Sequence, residues 1–274
     1  MPNTPRLAQP RKWRSLALAG AAVTLAAPAL AGRDAPITLG RAPDARLWLA
    51  QSQGGEGGEA GVVAAATDPD AGYLAQLMIV EGHMIAALDL YTKGQTEPAL
   101  ELANHPESEG MMDTVRKALA DHAAPDFTAA TTAFTQTLTE GAPPDQALAA
   151  LSDVHAGVVA AMAGQKDQLK TRLDAVVVLV KAASDEYAGA IDAGQVVDVM
   201  AYHEAHAFAA IARSQLAILM GEDLTAKAAA RALDALTAAD DAFSDMTLTE
   251  VQARDPAILA AVAARVELIA SSVR

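Results

Sequence analysis

The sequence predicts an all-α protein, a helical bundle of roughly eight or nine helices. Hydrophobic residues make up 52% of the 274 positions and aromatic residues only 4%, so aliphatic and small side chains must fill the core. Much of that share is alanine, the best helix former, whose small side chain lets helices approach closely. After residue 68 apolar residues recur at three- and four-residue steps, and Pro, Gly and Asp punctuate them at helix-length intervals.

The first 31 residues read as an export signal. Arg11, Lys12 and Arg14 form a basic start, Leu16 to Ala27 an apolar run, and Ala29-Leu30-Ala31 a small-residue cleavage site. That run is shorter than the roughly 20 residues a membrane-spanning helix needs, so the expectation is cleavage after Ala31 and a soluble periplasmic or secreted protein with no remaining span. Removing the segment takes away Arg6, Arg11, Lys12 and Arg14 and no acidic residue, which moves the formal charge from −14 to −18. A chain this acidic, with no basic patch to release counterions, argues against nucleic acid as a partner. The absence of cysteine excludes disulfides, thiolate metal sites and catalytic thiols.

Residues 32–68 are expected to form a flexible linker, since Gln51 to Gly61 is a Gly-rich polar run without an apolar face. Arg46-Leu47-Trp48-Leu49 could dock on the body. No Lys-Ser/Thr follows the glycines, which speaks against a phosphate-binding loop. The bundle domain then spans 69–274.

Within it, Leu74, Leu77, Met78, Met84, Ala87, Leu88 and Tyr91 outline an amphipathic helix over about 70–92, ended by Gly94. Glu97-Pro98 opens a short helix that Pro106 should stop at His105. Ser108-Glu109 opens a helix to Asp121, and a Thr-rich helix ends near Gly141. Pro143-Pro144-Asp145 starts one that runs to Gly164, and a long helix covers about 167–191. Further helices are expected over about 198–220, 222–243 and 255–271. The two Gly-Gln turns, at Gly94 and Gly194, each join an Ala-rich helix to one carrying His and Glu. The expected architecture is therefore one bundle built from two related helical-hairpin subbundles.

Those turns hold the candidate chemistry. His83 lies eleven positions before Gly94 and His105 eleven after it, so at about 1.5 Å rise per residue both stand roughly 16 Å from the turn and face each other in an antiparallel pair. Glu81 and Glu109 are near enough to join them. In the second hairpin His203 and His206 share a helix face, with Glu204 between them and Glu186 approaching from the preceding helix. Imidazole and carboxylate are ordinary ligands of zinc, iron and manganese. The metal candidates are thus His83, His105, His203, His206, Glu81, Glu109 and Glu204. Each also has a structural reading: His83 and His206 as core histidines, His105 as a helix C-terminal residue, and Glu107 and Glu109 as favourable charges before the next helix. His122 and His155 read as structural, and the methionines as core filler.

His203-Glu204-Ala205-His206 lacks the spacing of a zinc-protease motif, a Glu-x-x-His pair is absent, and no nucleophile elbow is present. No catalytic residue is assigned.

The stretch from Tyr187 through Gly194-Gln195-Val196-Val197-Asp198 to Tyr202-His203-Glu204-Ala205-His206-Ala207-Phe208 resembles the periplasmic helical region attached to bacterial high-affinity iron permeases. The resemblance covers about 22 residues (187–208) and implies periplasmic metal handling by an all-helical domain, with iron favoured. The permease's Arg-Glu-x-x-Glu transport helix is absent, and Gly82-His83-Met84 does not match the Gly-x-His-x-x-Glu motif of imelysin-like iron-uptake proteins. Two functions follow as expectations. One is an exported protein that binds or delivers a divalent or ferric ion, with a membrane permease or another periplasmic protein as partner. The other is a non-enzymatic helical interaction or scaffold module with an acidic groove and structural histidines.

Overall fold

The computed structural model describes residues 58–165, 167–243, 246 and 253–273. The expected export segment and residues 32–57 of the expected linker lie outside the described residues. Ten α-helices are present among the described residues: α1 (Gly58–Ala64), α2 (Pro69–Thr92), α3 (Thr96–Ser108), α4 (Met111–Asp121), α5 (Thr128–Thr139), α6 (Pro144–Met162), α7 (Leu169–Ala190), α8 (Val199–Leu219), α9 (Ala226–Leu236) and α10 (Ala257–Ser271). The all-α bundle expected from the sequence is the fold. The helix beyond the expected eight or nine is α1, which occupies the end of the Gly-rich stretch: once Val62 and Val63 find the bundle to pack against, burial outweighs the entropy of ordering glycines.

The helix starts follow local chemistry. Asp68 caps α2 by accepting from the Asp70 amide at 3.0 Å, with Pro69 in the first turn, and Asp198 caps α8 through the amides of Met200 and Ala201. Gly94 and Gly194 both sit at φ +78°, which a residue with a Cβ adopts only at a cost. Ala193 and Gly194 are consecutive positive-φ residues, as a type I′ turn requires, and they close β1 (Ile191–Asp192) onto β2 (Gln195–Val196) between α7 and α8.

Three boundaries differ from expectation for physical reasons. α3 continues past His105 to Ser108 with Pro106 inside it, because a proline in the last turn removes only one terminal hydrogen bond and its ring is buried. α4 begins at Met111, after Gly110 at φ +71°, rather than at Ser108. The span expected as a helix over 222–243 is α9 followed by a 3-10 segment, Thr237–Phe243.

The α2–α3 and α7–α8 hairpins pack together through α2, which touches α7, α8 and α6; α10 lies on α7 and α9. Hence α2 is buried nearly all round rather than along one stripe, from Ala71 to Leu90. Gly82 makes the α2–α8 approach possible, because a Cβ there would collide with the Phe208 ring. Gly82→Ala is expected to lower unfolding free energy by up to about 2 kcal/mol, the overpacking penalty of about 1–3 kcal/mol less the gain of about 1 kcal/mol in helix propensity. Urea denaturation at fixed ion concentration measures it, and a variant as stable as the parent would show that Phe208 moves aside freely.

Tyr187 and Tyr202 are fully buried. Their hydroxyls donate to the carbonyls of Arg254 at 3.1 Å and Ala242 at 2.9 Å, which ties the α7–α8 hairpin to the 3-10 segment and to the stretch leading into α10. Pro144–Gln165 and Pro69–Thr92 are both long and apolar enough to cross a membrane by length and composition. The second is the buried centre of the bundle; the first, α6 and its 3-10 continuation, is mostly exposed, with Leu148 and Val159 facing solvent.

Candidate metal centre

Each arm of the two hairpins brings one donor to a common level. His83 and His105 stand eleven residues from Gly94, on α2 and α3, while Glu186 and Glu204 stand eight and ten residues from Gly194, on α7 and α8. Because the hairpins pack on each other, these four side chains meet in a cavity of about 350 Å³, which Glu59 of α1 and Glu109 at the end of α3 also line. Hairpin geometry explains the pairing of the histidines: their rings lie 6.1 Å apart, edge to face.

His83 is 1% exposed and its Nδ1 lies 2.8 Å from the Ile79 carbonyl oxygen. A carbonyl can only accept, so Nδ1 carries a proton and Nε2 is the ring nitrogen turned toward the cavity. Nε2 lies 3.0 Å from Oε1 of Glu204 and 3.5 Å from Oε2 of Glu59. His105 Nδ1 lies 3.7 Å from the same Glu204 oxygen and 4.0 Å from Oε1 of Glu109. Glu204 is 4% exposed, yet its Oε1 has no hydrogen-bond partner, and neither has Oε1 of buried Glu59.

These separations suit a coordination sphere. Two ligands each about 2.1 Å from one ion lie at most about 4.2 Å apart, and both Glu204–imidazole distances fall within that limit. One ligand atom from each of His83, His105 and Glu204 lies within 4.8 Å of the others, a group that could hold a metal ion. The backbone bond at His83 Nδ1 is the outer contact that orients a ligating imidazole.

Electrostatics point the same way. Burial, then the carboxylates of Glu204 and Glu59, pushes Glu186 up to about 10. Burial, then Glu204 and Glu109, holds Glu59 well above the ordinary carboxylate range, against a small opposing effect of His105. His105 is raised by the Glu204 carboxylate beside it, partly offset by burial. Acidic groups are thus crowded into a space with no Lys or Arg among the lining residues, and a cation would relieve the crowding.

Of the seven sequence candidates, His83, His105, Glu109 and Glu204 line the cavity; Glu81, His203 and His206 do not. Glu81 turns to α6, where its Oε1 accepts from His155 Nδ1 at 2.5 Å; burial raises its pKa and His155 lowers it. His203 donates from Nδ1 to Asp89 at 2.8 Å. Burial would raise the Asp89 carboxyl, but hydrogen bonds from His203 and Lys93 bring it down to about 2. His206 stacks edge-on against Phe243, and burial lowers its pKa. His203 and Glu204 are consecutive, about 100° apart around a helix, so one helix sends them to different neighbours. His122 stacks on Tyr73 with ring centroids 3.8 Å apart, the structural role expected of it.

Sequence reasoning missed Glu59, whose glycine-rich surroundings read as linker. The usable signal was the Val62-Val63 pair that follows it. Glu186 was expected beside His203 and His206 but belongs with His83 instead. Comparison with family models, curated proteins and solved structures finds no match for this chain.

Proposed function

We propose that this is an exported helical protein that binds a transition-metal ion, iron in preference, for delivery. The ion sits between His83, His105 and Glu204. The observation that carries the reading is the His83–Glu204 contact. His83 Nε2 and the buried Oε1 of Glu204 stand 3.0 Å apart, and one ligand atom of His105 lies within 4.8 Å of both, close enough for a single cation to be shared among the three. Two imidazoles and one carboxylate with room for further ligands form the donor set typical of non-haem iron(II). The export segment and the resemblance of residues 187–208 to iron-permease periplasmic regions support periplasmic metal handling. The exposed apolar side of α6 is the surface through which a permease or other periplasmic partner would be met. That same surface favours the second reading, an interaction module with structural histidines.

Melting temperature separates the two. Protein stripped with chelator and then reloaded with iron(II) or zinc at about 100 times its dissociation constant gains about 2.7 kcal/mol, or roughly 5–10 °C for a domain of this size. Identical melting with and without chelator, together with no metal in elemental analysis of protein taken from its own periplasm, would overturn the metal reading.

A further inference from the structure

The cavity holds more donors than one ion uses. His83, His105 and Glu204 with one water, or with one oxygen of Glu59, already complete a four-coordinate sphere. That leaves Glu186, which is 5% exposed and lines the same space from α7. It also leaves Oε1 of Glu59, an atom without a partner on a residue 8% exposed. The cavity is several times the ~30 Å³ that a water molecule occupies in the liquid, so its volume does not limit it to one ion.

Resting on the metal reading above, we propose that the centre is dinuclear: a second divalent cation binds between Glu59, Glu186 and Glu204, and Glu204 bridges the two ions. Glu59, Glu186 and Glu204 come from three different helices and line one cavity. Glu204 is the carboxylate shared by both groups, with Oε1 against both imidazoles. Glu59 comes from a separate element, α1, and reaches toward the first position with Oε2, 3.5 Å from His83 Nε2, while Oε1 has no partner. Glu186 comes from α7, which packs on both α2 and α8, and lines the same cavity. Two-metal sites place their ions about 3.5–4 Å apart, a spacing one bridging carboxylate spans.

The two positions differ in character. The first has two nitrogen donors and suits iron, zinc or manganese; the second has only carboxylate oxygen and suits a harder ion such as manganese(II), iron(II) or magnesium. Three carboxylates and two neutral imidazoles around two divalent ions leave a net charge of one unit.

Manganese(II) alone is the probe, titrated into chelator-stripped full-length protein and read by equilibrium dialysis and electron paramagnetic resonance. The wild type is expected to take two ions per chain with an exchange-coupled spectrum. Glu186→Gln, close in shape and checked for folding by circular dichroism, is expected to take one ion with an uncoupled spectrum. Glu59→Gln is expected to weaken the second binding event at least about tenfold. One uncoupled ion in the wild type, or two coupled ions retained in both variants, overturns the dinuclear proposal while leaving the metal reading intact. Manganese, iron and zinc all failing to bind the wild type overturns both.

Discussion

Replacing His83 or His105 with alanine is expected to lower metal affinity at least about 100-fold, and the double variant is expected to bind no ion in a zinc or iron(II) competition titration. Changes to groups that merely orient a ligand cost about 10- to 100-fold, and loss of the ligand itself costs more. His105→Ala is the cleaner single variant. Its side chain is 19% exposed at the edge of the cavity, so truncation leaves little packing defect, whereas His83 is enclosed and packs on Phe208. The control variants are His155→Ala and His206→Ala. His155 faces solvent beside Glu81 and His206 lies against Phe243, so both should bind as the parent does. A double His83/His105 variant with unchanged affinity would remove the site from consideration, whatever the controls do.

Raising the pH from about 5 to 8 is expected to destabilise the ion-free protein, and Glu186→Gln to remove much of that dependence. Glu186 has an ordinary carboxylate pKa near 4.5 when exposed by unfolding, and about 10 when folded. Between those values the folded state holds a proton that the unfolded state has lost. Unfolding is therefore favoured progressively as pH rises, and the penalty is absent below about 4.5. At pH 7 this group alone costs on the order of 3 kcal/mol. Glu59, raised for the same reasons, acts with the same sign. Denaturant melts of chelated protein at several pH values measure the slope. Glu186→Gln should melt higher than the parent at neutral pH without ions and show a flatter pH profile. A parent whose stability is level or rises over this window would mean that the carboxylates are not crowded as described.

Destabilisation without a cation and stabilisation with one are two sides of a single arrangement. With the proposed ion bound at the buried acids, the stability of the bundle would report on ion supply. Marginal folding free energies make a few kcal/mol consequential.

How much of the centre could be read beforehand depended on what kind of contact was involved. The His83–His105 pair was legible, because two helices joined at Gly94 run antiparallel and equal spacing from the turn puts the residues level. Both residues belong to one local hairpin. Glu204 was named, but with His203 and His206, its neighbours in sequence. On α8 those three point to different surroundings: Glu204 to His83, His203 to Asp89 of α2, and His206 to Phe243. Glu81 was grouped with His83 across two positions, which is half a turn away on a helix, and it faces α6 instead.

Helices, turns and their order followed from periodicity, proline and glycine, since each depends on residues within a few positions of one another. Local pattern was therefore sufficient for the all-α bundle, the hairpin at Gly94 and the meeting of two histidines. It could not supply the rotation of one hairpin against the other, which depends on side-chain shape across the interface, such as the fit of Phe208 over Gly82. Nor could it show that α1 folds back, because a glycine-rich segment becomes helical only when the bundle offers it a surface. Those two packing events bring Glu59, Glu186 and Glu204 to the imidazoles, and they turn a histidine pair into an acidic, buried centre.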